Sequence, residues 1–361
     1  MNKRFSAMRF GFLGAILVFG VIVIGRAILP LEVDSAVVDA KRIKAFLEAE
    51  NVFPGGVGVW SSVAPLPGSL RSHVVVSQNN YIYVIGGTNS SGVDTKKVWF
   101  ATSNSSGTLS VWTETTSLPK AIAWHSGVVN NGKIYVMGGN FSGSPITDVL
   151  FATINPDGTL GVWTPTTALP AVLYRHSSIV NNGYVYVFAG NSTGGCCTST
   201  VRYAPINASG TIGTWTNTTP LVYGHEIPVV FYNGYVYAVG GSNGLSPMQN
   251  VRYASVDENG SIGAWTNTTA LPQAVAAQVA VAHNGYLYSI AGEVSIGGET
   301  EDTYFAPINP NGSIGAWTTS PNQLLRPLRD HAGLVSNGFM YIFGGKTGPY
   351  AFPDVFSASI L

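Results

Sequence analysis

Charge is scarce in this chain of 361 residues: Asp, Glu, Lys and Arg make up only 10% of it, and 18 basic residues balance 18 acidic ones. With no net charge, and no basic stripe beyond the N-terminal segment, nothing supports a nucleic-acid partner. Cysteine is scarcer still. The two that exist are neighbours, Cys196 and Cys197, so neither has another partner within the chain. An Ala-x-Ala cleavage motif is also lacking close behind the one long apolar run, Phe10 to Gly25.

That run supplies the first positive signal. FGFLGAILVFGVIVIG, extended by AILPL beyond Arg26, reaches the ~20 residues that span a bilayer as a helix. Lys3, Arg4 and Arg9 precede it while Glu32, Asp34 and Asp39 follow, which keeps the N-terminus cytoplasmic and places the rest outside. Length and flanks favour an uncleaved anchor over a cleaved signal peptide, whose nearest tolerable site is Val38-Asp39-Ala40. The resulting division is a cytoplasmic segment 1–9, a transmembrane signal-anchor helix 10–31, a linker helix 32–56 ended by Pro54-Gly55-Gly56, and a domain over 57–361.

The remaining residues are rich in Gly (43 in the whole chain), Thr, Val, Tyr and Trp, as expected of short strands joined by tight turns. NNGKIYVMGG at Asn130 to Gly139 recurs with small changes, its final pair falling at Gly86, Gly138, Ala189, Gly240, Ala291 and Gly344, about 52 residues apart. Trp60, Trp112, Trp163, Trp215, Trp265 and Trp317 keep the same beat. A period near fifty belongs to four-stranded blades rather than helical repeats. In the second copy the strands, a to d from first to last, read HSGVVN, KIYVMGG, DVLFATI and GVWTPTTALP. Asn131-Gly132 and Asp157-Gly158 form the tight turns between a and b and between c and d. Strand b is apolar on both faces, so each blade must be covered on both sides, as in a ring.

The first Trp unit lacks strands a to c and the last unit, ending PDVFSASIL, lacks strand d. An N-terminal strand near 57–66 therefore completes the C-terminal blade, and the expected fold is an all-β, six-bladed propeller. The glycine pairs, the aromatic on strand c (Phe100, Phe151, Tyr203, Tyr253, Phe305) and the Trp together resemble the kelch family of β-propellers over 57–361. That resemblance implies an interaction module, although the same fold carries galactose-oxidase-like copper enzymes and sialic acid mutarotases.

Loops from d to a and from b to c share one face, the expected binding face. His73, His125, His176 and His331 each lie thirteen residues before a glycine pair and read as repeated structural hydrogen-bonders. Departures from the repeat are the candidate ligand-binding residues. His225-Glu226 stands out of phase in blade four. Blade five replaces the histidine with Gln278 and carries Glu293, Glu299, Glu301 and Asp302 on its b–c loop. Arg71, Arg175 and Arg329 have the guanidinium geometry to hold a carboxylate. A disulfide between Cys196 and Cys197 is the favoured reading of that pair, with free thiols or an intermolecular bridge as alternatives. No catalytic residue, cofactor or metal site is assigned. The leading expectation is a membrane-anchored extracytoplasmic module binding a protein or glycan. Its alternatives are a carbohydrate epimerase, mutarotase or oxidase-like enzyme at the channel mouth, and a passive part of a surface assembly.

Overall fold

The computed structural model describes residues 54–361 apart from 223 and 296, together with Ile16–Val18, Val21–Ile24 and Ala27–Pro30. Those three segments pair antiparallel as a small sheet. The rest of the expected membrane helix over 10–31 lies outside the described residues. So does the linker helix over 32–56, except for its last residues, where Pro54 and Gly55 form a turn. No helix long and apolar enough to cross a membrane occurs among the described residues.

Residues 55–360 form a compact unit of six four-stranded antiparallel sheets, each running a to d from the centre outward. In the second blade the strands are Ser126–Asn130, Lys133–Met137, Val149–Thr153 and Thr164–Pro165. The ring closes as expected: Ser61–Ser62 pairs with Val355–Ser359 and supplies strand d of the sixth blade. Gly58 N–H and Val63 N–H extend that pairing, donating to Ser359 O at 2.8 Å and Val355 O at 2.9 Å. Strand c of the last blade therefore has no free edge along this stretch.

The repeated residues do repeated work. Asn131 and Gly132 take φ of 45° and 72°, the positive values a two-residue hairpin turn needs, and Asn79 takes 54° in the first copy. The c–d turn differs from expectation. It is a four-residue turn in which Gly158 N–H donates to Asn155 O at 2.9 Å, only Gly158 of the Asp-Gly pair has positive φ, and the Asp157 carboxylate accepts from Thr159. Asp favours this place because its side chain can satisfy nearby donors.

Ile134, Tyr135, Val136 and Met137 are all buried, so both faces of strand b are covered by neighbouring blades. Each such side chain stabilises by about 1.5–3 kcal/mol relative to exposure. Two hydrogen bonds then tie blade to blade. Trp163 Nε1 donates to Thr116 O at 2.9 Å in the preceding blade, and Tyr135 O–H donates to Gly210 O at 2.8 Å in the next. The first glycine of the pair is needed for space as well as conformation. At Gly138, with φ of 56°, a Cβ would stand 2.5 Å from Leu173 O and 2.9 Å from His176 Cε1.

Candidate functional site

The inner strands surround a central channel of about 270 Å³, whose polar end lies on the face of the d–a and b–c loops. One residue per blade takes a left-handed conformation at the entry to strand a: Ser72, Trp124, Arg175, Glu226, Ala277 and Asp330, all with φ between 51° and 55°. Their backbones join sideways. Trp124 N–H donates to Ser72 O, Arg175 to Trp124, Glu226 to Arg175, Asp330 to Ala277 and Ser72 to Asp330, at 2.8–3.2 Å. At five of the six points the left-handed residue turns its amide toward the neighbouring blade, satisfying main-chain groups that open strand ends would leave unpaired.

The histidines lie one residue deeper. His73, His125, His176 and His331 are buried, and burial holds their imidazoles down to about 3, 3, 4 and 4 respectively, so they are neutral near pH 7. His331 Nε2 lies 3.2 Å from Ile290 O of the preceding blade. Gln278, in place of histidine, donates to Val239 O at 2.9 Å and so makes the equivalent tie. The hydrogen-bonding role expected for this residue line is seen at His331, at Gln278 and at His176, whose Nε2 lies 2.8 Å from Ser126 Oγ, whereas His73 and His125 are buried with no hydrogen-bond partner on either ring nitrogen among the described residues.

His225 is out of phase with the other histidines, as expected, standing two residues before their position. Ile227 occupies the histidine position of blade four, Glu226 the left-handed position, and His225 the place before it, bridged to Ser242. The same offset separates the arginines. Arg175 stands on the left-handed ring, whereas Arg71 and Arg329 precede it, paired in the backbone with Thr88 and Lys346.

The side chains converge in two groups. Arg175 Nη1 is 2.6 Å from Glu226 Oε1, and the guanidinium groups of Arg175 and Arg71 lie over the Trp124 ring, 5.1 Å and 5.7 Å from its centroid. Arg329 reaches Glu293 at 2.7 Å and Glu299 at 3.1 Å, and Lys346 stands 3.9 Å from Asp330. Two of the three candidate arginines thus already hold carboxylates of the chain itself. Asp302, expected beside Glu293 and Glu299, instead accepts from Tyr304 O–H and Gln323 and lies apart from the Arg329 group. Burial pushes the Glu226 carboxyl up to about 7 despite the opposing pull of Arg175, with Asp330 and Glu293 adding to the rise. His225 is held down to about 4, by burial first and then by Arg175.

Cys196 and Cys197 are joined as a disulfide between adjacent residues on the b–c loop of blade three, and His225 approaches them from blade four. Sequence reasoning missed Trp124 and Asp330. The available signal was the varied, mostly polar residue immediately before each histidine-line position.

Around this mouth the surface turns apolar. Of the ten large apolar side chains exposed among the described residues, six lie on the same loops: Val93, Phe141, Leu245 and Tyr350 on b–c loops, Val222 and Leu325 on d–a loops.

Six blades closed by an N-terminal strand, glycine exits from strand b and a tryptophan before each strand d define a kelch-type propeller. Residues 72–292 match the KLHDC2/KLHL20/DRC7 Kelch-repeats domain, and the chain belongs to the kelch-repeat family. It is 30% identical to human Kelch-like protein 33 over 146 residues, which is 39% of this chain and 26% of that protein, so the match spans about a quarter of the relative. The solved structure of YjhT superposes with a TM-score of 0.65 at 17% identity, covering 81% of this chain and 95% of that one, a likeness of fold alone.

Proposed function

We propose that this propeller is a protein-binding module that takes an extended, charged segment of its partner across the channel mouth. The observation that carries this reading is the composition of one face: the Trp124, Arg71 and Arg175 corner and two ion-paired groups at the centre, with exposed apolar residues around them. Tryptophan and arginine at a centre partly withdrawn from water, surrounded by a rim, is the arrangement from which interface hot spots are drawn. A glycan would use the aromatic ring and the ion pairs but has less use for Leu245 and Leu325. The apolar run Phe10 to Gly25 supports tethering of this module to a membrane with the propeller outside, which protease accessibility of the propeller in intact cells tests.

Partner capture from native extract by the full chain should fall at least ~30-fold with Trp124→Ala or Arg175→Ala, the loss expected of hot-spot truncations of 2 kcal/mol or more. It should be unchanged with Val111→Ser, away from the mouth. Equal capture by all three would place the interface elsewhere.

One observation favours the small-molecule alternative: Glu226, with a carboxyl that titrates near neutrality beside Arg175, is poised for proton transfer. Sugar-dependent protection of the propeller against heating, lost with Glu226→Gln, would support that reading over the first.

A further inference from the structure

We propose that Cys196, Cys197 and His225 form a redox-gated site for a thiophilic metal cation of the Zn²⁺ or Cu⁺ class. The two sulfurs and an imidazole nitrogen all lie within 4.8 Å of one another. Ligand atoms around a tetrahedral zinc, with bonds of about 2.0–2.3 Å, stand roughly 3.5–3.8 Å apart, so once the disulfide is reduced the sulfurs part by roughly 1.7 Å and the imidazole closes by about an ångström to complete the set. His225 is 8% exposed and its Nδ1 has no hydrogen-bond partner, while its backbone is fixed by exchange with Ser242 at 3.0 Å and 2.9 Å. A buried, unpartnered imbalance of this kind costs free energy that a metal bond would recover.

The surroundings suit a sulfur site. Gly244 passes so close beneath the pair that a Cβ there would collide with Cys196 Sγ. Cys196 is exposed, Cys197 half-buried and His225 buried, so the fourth coordination position opens to solvent, for water or a group of a bound partner. Thiolate and imidazole together select soft or borderline cations over Mg²⁺ or Ca²⁺.

The disulfide and metal-bound states exclude each other. A dithiol reductant gives two electrons and two protons to the Cys196–Cys197 bond and becomes a disulfide itself. The cation then displaces both thiol protons, leaving a neutral Zn(thiolate)₂(imidazole) centre, or its singly negative Cu⁺ counterpart. In an oxidising compartment the disulfide persists and the site is shut.

The test uses the full chain and needs no variant at first. The chain is reduced with a water-soluble phosphine, which takes an oxygen from water as it passes two hydrogens to the sulfurs. It is then desalted without oxygen and titrated with Co²⁺ as the spectroscopic stand-in for zinc. One cobalt per reduced chain with a thiolate-to-cobalt charge-transfer band, displaced by Zn²⁺ and absent from the oxidised chain, is the expected result. Cys196→Ser should abolish the band, and His225→Ala should weaken binding at least tenfold while keeping it. Thermal melts of each apo variant separate lost ligands from lost folding. Equal binding by oxidised and reduced chains, absence of the band, or a Cys196→Ser variant that binds as before would overturn the proposal.

Discussion

Glu226 shows how one residue of the mouth couples to the whole fold. Its carboxyl keeps a proton up to about 7 in the folded chain, whereas an unfolded chain releases it near ~4.3. The folded state binds this proton more tightly, so the stability the group contributes is complete below about 4.3 and is lost as pH rises through about 7. Glu226→Gln removes the titration. Its Tm relative to wild type should therefore climb across that interval and level off above it, as calorimetry at stepped pH would read. A difference independent of pH would mean that the carboxyl is already ionised throughout. The comparison cancels the buried histidines, whose depressed values work in the opposite direction, with stability lost as pH falls from about 6.5 toward 3–4.

At the scale of strands and turns, the glycine exit from strand b is the sharpest test of the repeat. Gly138→Ala would push a Cβ against the Leu173 carbonyl in addition to adopting a left-handed φ. We expect a loss of about 2–4 kcal/mol in denaturant unfolding. Ala189 holds the equivalent place at φ of 51°, in front of Ile227 rather than a histidine, and Ala189→Gly should be neutral or stabilising by up to ~1 kcal/mol. Equal effects at both sites would mean that conformation alone, not the neighbouring blade, sets the requirement. Strands, Asn-Gly turns and ring closure were legible because each depends on local residue type and a period that any copy can check. The mouth was only half legible. Arg175, Glu226, Glu293 and Arg329 could be named as departures from the repeat, but their pairing is set by the ring, which sequence separation hides. Trp124 went unremarked because its place was defined by a backbone conformation, not by a motif. The approach of His225 to Cys196 joins loops of two blades, and His225 is out of phase because Ile227 stands in the histidine position two residues later.

For the whole molecule, stability rests on closure. A chain beginning at residue 54 keeps Val57 paired with Ile360 and Ser61–Ser62 paired with Val355–Ser359, and should melt as one cooperative unit at the full-length temperature. A chain beginning at residue 64 leaves the Val355–Ser359 edge open and Leu66 without the strand that leads to it. We expect that shorter chain to melt many degrees lower and to associate through the open edge, measurable by calorimetry and light scattering. Equal melting of the two would show that blade-to-blade packing suffices without the clasp.

The six left-handed positions at the channel mouth carry Ser, Trp, Arg, Glu, Ala and Asp, yet all share one φ and five of them donate main-chain bonds in one direction. What joins five of the six blade boundaries here is the peptide backbone, and what each position presents at the mouth is whatever side chain it bears. The mouth therefore works as six sockets of fixed placement and free content. Exchanging their occupants should alter the charge and shape of the mouth while leaving that joinery untouched.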